Sequence, residues 1–103
     1  MVPHICFQGH THVPGVFTQD LQFVRPTETG SGYGIQNDKQ RMMVNVGSVG
    51  QPRDGDPRSC YVVYDEEVIE FRRVNYDIER TVREIKAQPD LDEYLGLRLR
   101  EGR

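Results

Sequence analysis

Short runs of β-branched and aromatic residues, broken by Gly, Pro and Asp, set the rhythm of the first three quarters of the chain. The runs at residues 4–8, 15–18, 22–25, 42–46, 60–64 and 68–74 have the length and composition of strands. The last two predict a hairpin. Cys60, Val62 and Tyr64 fall on one face, Tyr61 and Val63 on the other, with Asp65 and Glu66 at the turn. Residues 27–39, rich in Gly, Ser and polar side chains, read as a loop.

After Tyr76 the period changes from two to nearly four. Asp77 is placed to cap a helix that carries Ile78, Val82 and Ile85 on one face and stops at Pro89. A second helix is expected from Asp90, with Glu93 completing a capping box and Leu91, Leu95 and Leu99 in line before Gly102. Both helices need an apolar partner, and both are expected to pack on one sheet. The fold class is therefore α/β in the α+β sense, mixed or antiparallel strands followed by two C-terminal helices. Residues 1–76 form its β-rich part and residues 77–103 its helical part.

Composition narrows the function classes. A chain of 103 residues holds one domain at most, and 36% hydrophobic residues with no Trp make a modest core. Thirteen basic against sixteen acidic residues give a net charge of −3, without the basic footprint of a nucleic-acid or anionic-membrane binder. No apolar run reaches the length of a membrane span, and no secretory leader pattern opens the chain, so a cytoplasmic location is the expectation. Cys6 and Cys60 lie in strand-like runs and read as reduced packing residues.

The candidate chemistry sits in the first twelve residues. In "ICFQGHTHVPGV", residues 5–16, His10 and His12 are two residues apart at the end of a strand. An i, i+2 pair leaving a strand points to one side, which suits one metal or two adjacent metals about 3.5–4 Å apart. Gly9 offers close backbone approach and Thr11 a local hydrogen bond. The plainer alternative is a turn with two exposed histidines or one satisfied in the core. The loop at 45–57 lacks the lysine and spacing of a phosphate-binding P-loop, and its Asp-Gly-Asp lacks the ladder of a calcium loop, so tight turns are expected there. Glu66, Glu67, Glu70, Arg72 and Arg73 read as the solvated face of the hairpin.

"GHTHVPGV" resembles the last signature block of the calcineurin-like metallophosphoesterases. "VNVGSVGQPRDGDPRSCYVVYD" at 44–65, "VNYDIERTVREI" at 74–85 and "LGLRLREG" at 95–102 are similar, in the same order, to later segments of that family's bacterial phosphodiesterase branch. The resemblance implies a two-sheet sandwich. It also implies a centre of two divalent metal ions (Mn, Fe, Zn, Co or Ni), with His10 on one metal and His12 on the other. A metal-bridged hydroxide would then hydrolyse a small-molecule phosphomonoester or phosphodiester. By the same resemblance the 45–57 loop lies near the metals and Arg53 approaches substrate.

The family's remaining ligands come from Asp-x-His, Gly-Asp and Gly-Asn-His blocks and one further histidine, all upstream of Gly-His-x-His. None is in this chain, whose other histidine, His4, reads as structural. The sequence thus resembles the C-terminal part, about 40%, of a domain of about 200–250 residues. Two histidines make a weak site. The expectations are weak metal binding, no turnover by the isolated chain without a second polypeptide, and exposed apolar surface that promotes self-association. The alternative is a non-catalytic remnant or interaction module of the same fold.

Overall fold

The structure, a computed structural model, describes residues 4–28, 32–35 and 40–103. Its strands form two sheets. The first has the order β1-β5-β2-β3, from β1 (Ile5–Gln8), β2 (Gly15–Thr18), β3 (Phe23–Val24) and β5 (Met42–Asn45). The second has the order β4-β7-β6, from β4 (Gly32–Gly34), β6 (Ser59–Tyr64) and β7 (Val68–Val74). Strand β5 runs parallel to β1 and antiparallel to β2, so it is central to the first sheet.

The pleat decides what lies between the sheets. Val16, Met42 and Val44 of the first sheet meet Cys60, Ile69 and Phe71 of the second in one buried cluster, with Ile5, Tyr33, Ile35 and Val62 packed against it. β-Branched residues facing each other across β2 and β5, as Val16 and Val44 do, fill such a surface well. At the flank Phe7 reaches Tyr64 with ring centroids 5.5 Å apart. Residues one position out of phase must face away from the core. Cys6, Met43, Phe17 and Phe23 are each other's neighbours in register and form one apolar row on the outer face of the first sheet.

The hairpin at 60–74 forms as the alternation requires, and Asp65 builds its turn by accepting the backbone N–H groups of Glu67 and Val68. Two expectations for this region are corrected. The segment read as a loop contains a 3₁₀ turn (Pro26–Glu28) and strand β4, while residues 29–31 and 36–39 lie outside the described part. Tyr33, between two glycines, has weak local strand preference, but β7 offers it a free edge and the core a place for its ring. Arg73 is not on a solvated face: its side chain is only 13% exposed and pairs with Asp54.

Helix α1 (Ile78–Lys86) begins as read, with Asp77 accepting the Arg80 N–H at 3.1 Å. The second helix is shorter than expected. α2 (Tyr94–Leu97) starts four residues after Asp90 and passes into a 3₁₀ turn (Arg98–Glu101). Asp92, not Asp90, accepts the first free N–H, that of Tyr94, and Glu93 makes no side-chain capping bond. Leu91 is left exposed and takes no part in the packing face.

The tail packs chiefly on itself rather than on a sheet face. Val82, Gly96, Leu99 and Gly102 are its buried residues, and Arg100 forms two 2.8 Å hydrogen bonds with Glu79. Gly102 fastens it to the 45–57 loop. Its φ of +67° and backbone approach to Gly55 and Asp56, where a Cβ would stand 2.7 Å from Asp56 N, admit only glycine. Its carbonyl accepts the Gly55 N–H at 3.1 Å. The result is elongated, 51 × 26 × 19 Å, with 6839 Å² of surface where a compact chain of this mass exposes about 5900 Å². Among the described residues, no helix is long and apolar enough to cross a membrane.

Candidate metal centre

Strand β1 ends at Gln8, so His10 and His12 lie beyond it, in a turn. The strand pleat therefore does not orient them. Both instead take left-handed backbone angles, φ +84° at His10 and +63° at His12, a conformation that costs a non-glycine residue about 1–2 kcal/mol. The role expected of Gly9 is not seen, since its φ is not positive and a Cβ there would meet only open space. Strain sits on the histidines themselves.

Three residues, Asn45, Gln51 and Arg53, hold the turn in that shape. Asn45, at the end of β5 and 1% exposed, donates its side-chain N–H groups to the Gly9 carbonyl at 3.1 Å and to Thr11 Oγ1 at 2.8 Å. It also accepts the Gly47 N–H at 3.0 Å, so the amide is fully used, as a buried polar group must be. His12 Nδ1 lies 2.8 Å from the Gln51 carbonyl, and the Arg53 N–H donates to the His12 carbonyl at 3.1 Å.

A carbonyl oxygen only accepts, so in the neutral ring of His12 the proton sits on Nδ1 and Nε2 keeps its lone pair. That is the tautomer and anchoring of a metal-ligating imidazole, whose second nitrogen is typically held by a backbone carbonyl or a carboxylate. His10 is exposed and its ring is free to turn. Among the described residues no three His, Cys, Asp or Glu side chains gather into a metal-binding group. As donors the two imidazoles fit a divalent ion, and they number fewer than the three or four protein ligands of a stable site.

The 45–57 loop forms tight turns, with Gly47 at φ +78° and Gly55 at φ +86°. A Cβ on Gly47 would press on Cys60 and Pro14 as well as strain the backbone. The loop brings Arg53 beside His12 through the backbone, while the guanidinium reaches the Gln51 side chain at 3.3 Å. Behind the histidine turn, Val13 and Pro14 join Arg73, Asp54, Asp56 and Arg58 in lining a cavity of about 320 Å³. These charges are paired: Asp54 with Arg73, and Asp56 bidentately with Arg58, whose guanidinium lowers the Asp56 carboxyl to about 2. His4 precedes β1, at the strand end away from the turn, and its carbonyl accepts the Met42 N–H. Cys6 and Cys60 are free thiols.

Asn45 and the Gln51 carbonyl escape a reading of the sequence for ligands. A polar residue closing the apolar run "MMVN" is a visible signal for the first, because burial there demands partners. No side-chain pattern marks a backbone carbonyl.

No protein-family model matches the chain. An uncharacterized protein of Methanocaldococcus jannaschii is 39% identical over 101 residues, a match that covers 96% of this chain and 40% of that protein. Among solved structures, a metallophosphoesterase from Sphaerobacter thermophilus superposes with a TM-score of 0.81 at 35% identity, covering 96% of this chain and 43% of that one. The chain thus spans about two fifths of the length of these two proteins. Its two sheets and short C-terminal helices are the fold of that part of a metallophosphoesterase.

Proposed function

We propose that the chain is the C-terminal portion of a dinuclear metallophosphoesterase domain that hydrolyses a small phosphomonoester or phosphodiester, with His10 and His12 each giving one ligand. The observation that carries this reading is the anchored His12. Its Nδ1–H is fixed on Gln51 and its Nε2 is left for an ion, in a turn whose sequence lies within the region similar to a metallophosphoesterase.

The metals, when bound, supply Lewis acidity to the phosphoryl group. The chain's own share is positional. Asn45, Gln51 and Arg53 hold the histidine turn, and the Arg53 guanidinium, on the same loop, would meet a phosphate oxygen bound beside it. No residue of this chain is given a catalytic role. The other ligands come from outside these residues, either from the same polypeptide or from a second one.

A chimera tests the reading: this chain replaces the corresponding 43% of the Sphaerobacter enzyme, and hydrolysis of a chromogenic phosphodiester is followed with added manganese. Manganese-dependent turnover that disappears with His10→Ala and His12→Ala is expected. A folded chimera whose turnover ignores both substitutions would refute the assignment. The half-exposed apolar row of the first sheet favours a second reading, an interaction module without chemistry. A folded chimera with no turnover would leave that one standing.

A further inference from the structure

We infer that Asn45 is the positioning residue of the histidine turn, setting the left-handed backbone at His10 and so the mutual placement of the two imidazoles. The inference rests on the metal-site reading above and names what builds that site. Asn45 is too deeply buried to touch a substrate, so it acts through its neighbours.

The hydrogen bonds are distributed in a specific way. One N–H of the Asn45 amide goes to the carbonyl of Gly9 and the other to the hydroxyl of Thr11, the residues immediately before and after His10. A clamp on both sides of one residue fixes its dihedral angles. The cost of a left-handed histidine, about 1–2 kcal/mol, is comparable to one or two net hydrogen bonds, so the turn holds this shape only while the clamp is closed. The amide oxygen does a second job. It accepts from Gly47, whose positive φ starts the loop that returns at Gln51 to hold His12. One side chain therefore ties the strained turn to the loop that anchors the second histidine.

The chemistry excludes substitutes. Aspartate has the shape but no donors, and would set a carboxylate against the Gly9 carbonyl. Leucine fills the volume and satisfies none of the three groups. Alanine leaves the Gly9 carbonyl and the Gly47 N–H without the partner Asn45 gave them, and the Thr11 hydroxyl with only the Val13 N–H at 3.4 Å. The cost falls on the turn first, because β5 keeps its ladder bonds to β1 and β2 through the backbone.

The test uses isotope-labelled chain and compares Asn45→Ala, Asn45→Asp, Thr11→Val and Ile69→Val, the last a core change remote from the turn. Two quantities are read by NMR: the backbone angle of His10 without metal, from its intraresidue Hα–HN contact, and zinc affinity, from the histidine ring resonances. Asn45→Ala and Asn45→Asp are expected to lose the left-handed signature at His10 and to bind zinc about 10–100-fold more weakly. Ile69→Val should lose stability while keeping both. Thr11→Val, which opens one side of the clamp, should fall between; it also decides the matter if Asn45→Ala fails to fold. Native angle and native affinity in a folded Asn45 variant, or in Thr11→Val when the Asn45 variants do not fold, would overturn the inference. An equal loss of zinc affinity in Ile69→Val would do the same. If zinc leaves the rings of the unaltered chain unperturbed, the two histidines hold no ion without the other ligands, and the angle at His10 still decides the role of Asn45.

Discussion

The Nδ1–H of His12 donates to the carbonyl oxygen of Gln51 across 2.8 Å, joining the turn after β1 to the loop after β5. The acceptor is backbone, so the side chain at position 51 is dispensable for it. In alkaline buffer, where imidazole is neutral, a long-range proton–nitrogen spectrum should show His12 protonated at Nδ1, and Gln51→Ala should leave that pattern in place. A proton on Nε2 would remove the lone pair the site needs.

His10 carries strain without the burial that would justify it for folding alone. It is exposed and left-handed, so His10→Gly should relieve the backbone at little packing cost. Chemical denaturation is expected to show a gain of roughly 0.5–1 kcal/mol, together with loss of metal binding at this turn. A glycine variant less stable than the native chain would mean that the imidazole makes a stabilising contact of its own.

Acid should loosen the protein from the Asp56 side. Arg58 hydrogen bonds hold the Asp56 carboxyl at about 2, with Arg73 adding to the effect and partial burial opposing it. A carboxylate lowered in the fold stabilises it above the unfolded value of about 3.9, and that contribution drains away as pH falls from about 4 toward 2. Glu79, held down by Arg100, and Asp65, held down by the N–H groups of Val68 and Glu67, act in the same direction. Denaturation midpoints measured from neutral pH to pH 2 should drop most in that window. Asp56→Asn should be less stable at neutral pH and flatter below pH 4; a drop of unchanged depth would assign the acid limb elsewhere.

Among the described residues no element covers the outer row of Cys6, Met43, Phe17 and Phe23, in a chain that already exposes more surface than its mass requires. Leu21, at the tip of the β2–β3 hairpin beside it, is 95% exposed. A second copy is the nearest partner in a pure sample, and self-association through this face should appear in sedimentation velocity as concentration rises. Phe17→Glu should shift the distribution to monomer. An unaltered chain that stays monomeric at high concentration would rule this out.

Much of the sheet structure was legible because its strands are short β-branched runs with hard stops. Val16, Val44 and Ile69 announce themselves by residue type and spacing. Strand β4 does not, since Gly-Tyr-Gly becomes a strand only when β7 offers an edge. The second helix was misplaced for a related reason: Asp90 and Glu93 have the spacing of a cap, but the chain is still turning there, and Asp92 takes the role. Arg73 looked like any hairpin cation and proved to be tied to Asp54 from a loop nineteen residues away. At the site, the two histidines stood out by motif, while their anchors come from another strand and from a carbonyl that has no letter of its own.

The parallel pairing of β1 with β5 also dictates an order of events. Hairpin β6–β7 closes between near neighbours, whereas Ile5 must find Met42 across three intervening strands and a 3₁₀ turn. Distant parallel contacts pay their loop-closure entropy before any reward and are slow to form. Asn45 meets Gly9 only once that ladder exists, so the histidine turn is among the last features to take shape. An ion held by this turn, as proposed, would meet a chain already folded, and could not serve as the nucleus on which the chain collapses.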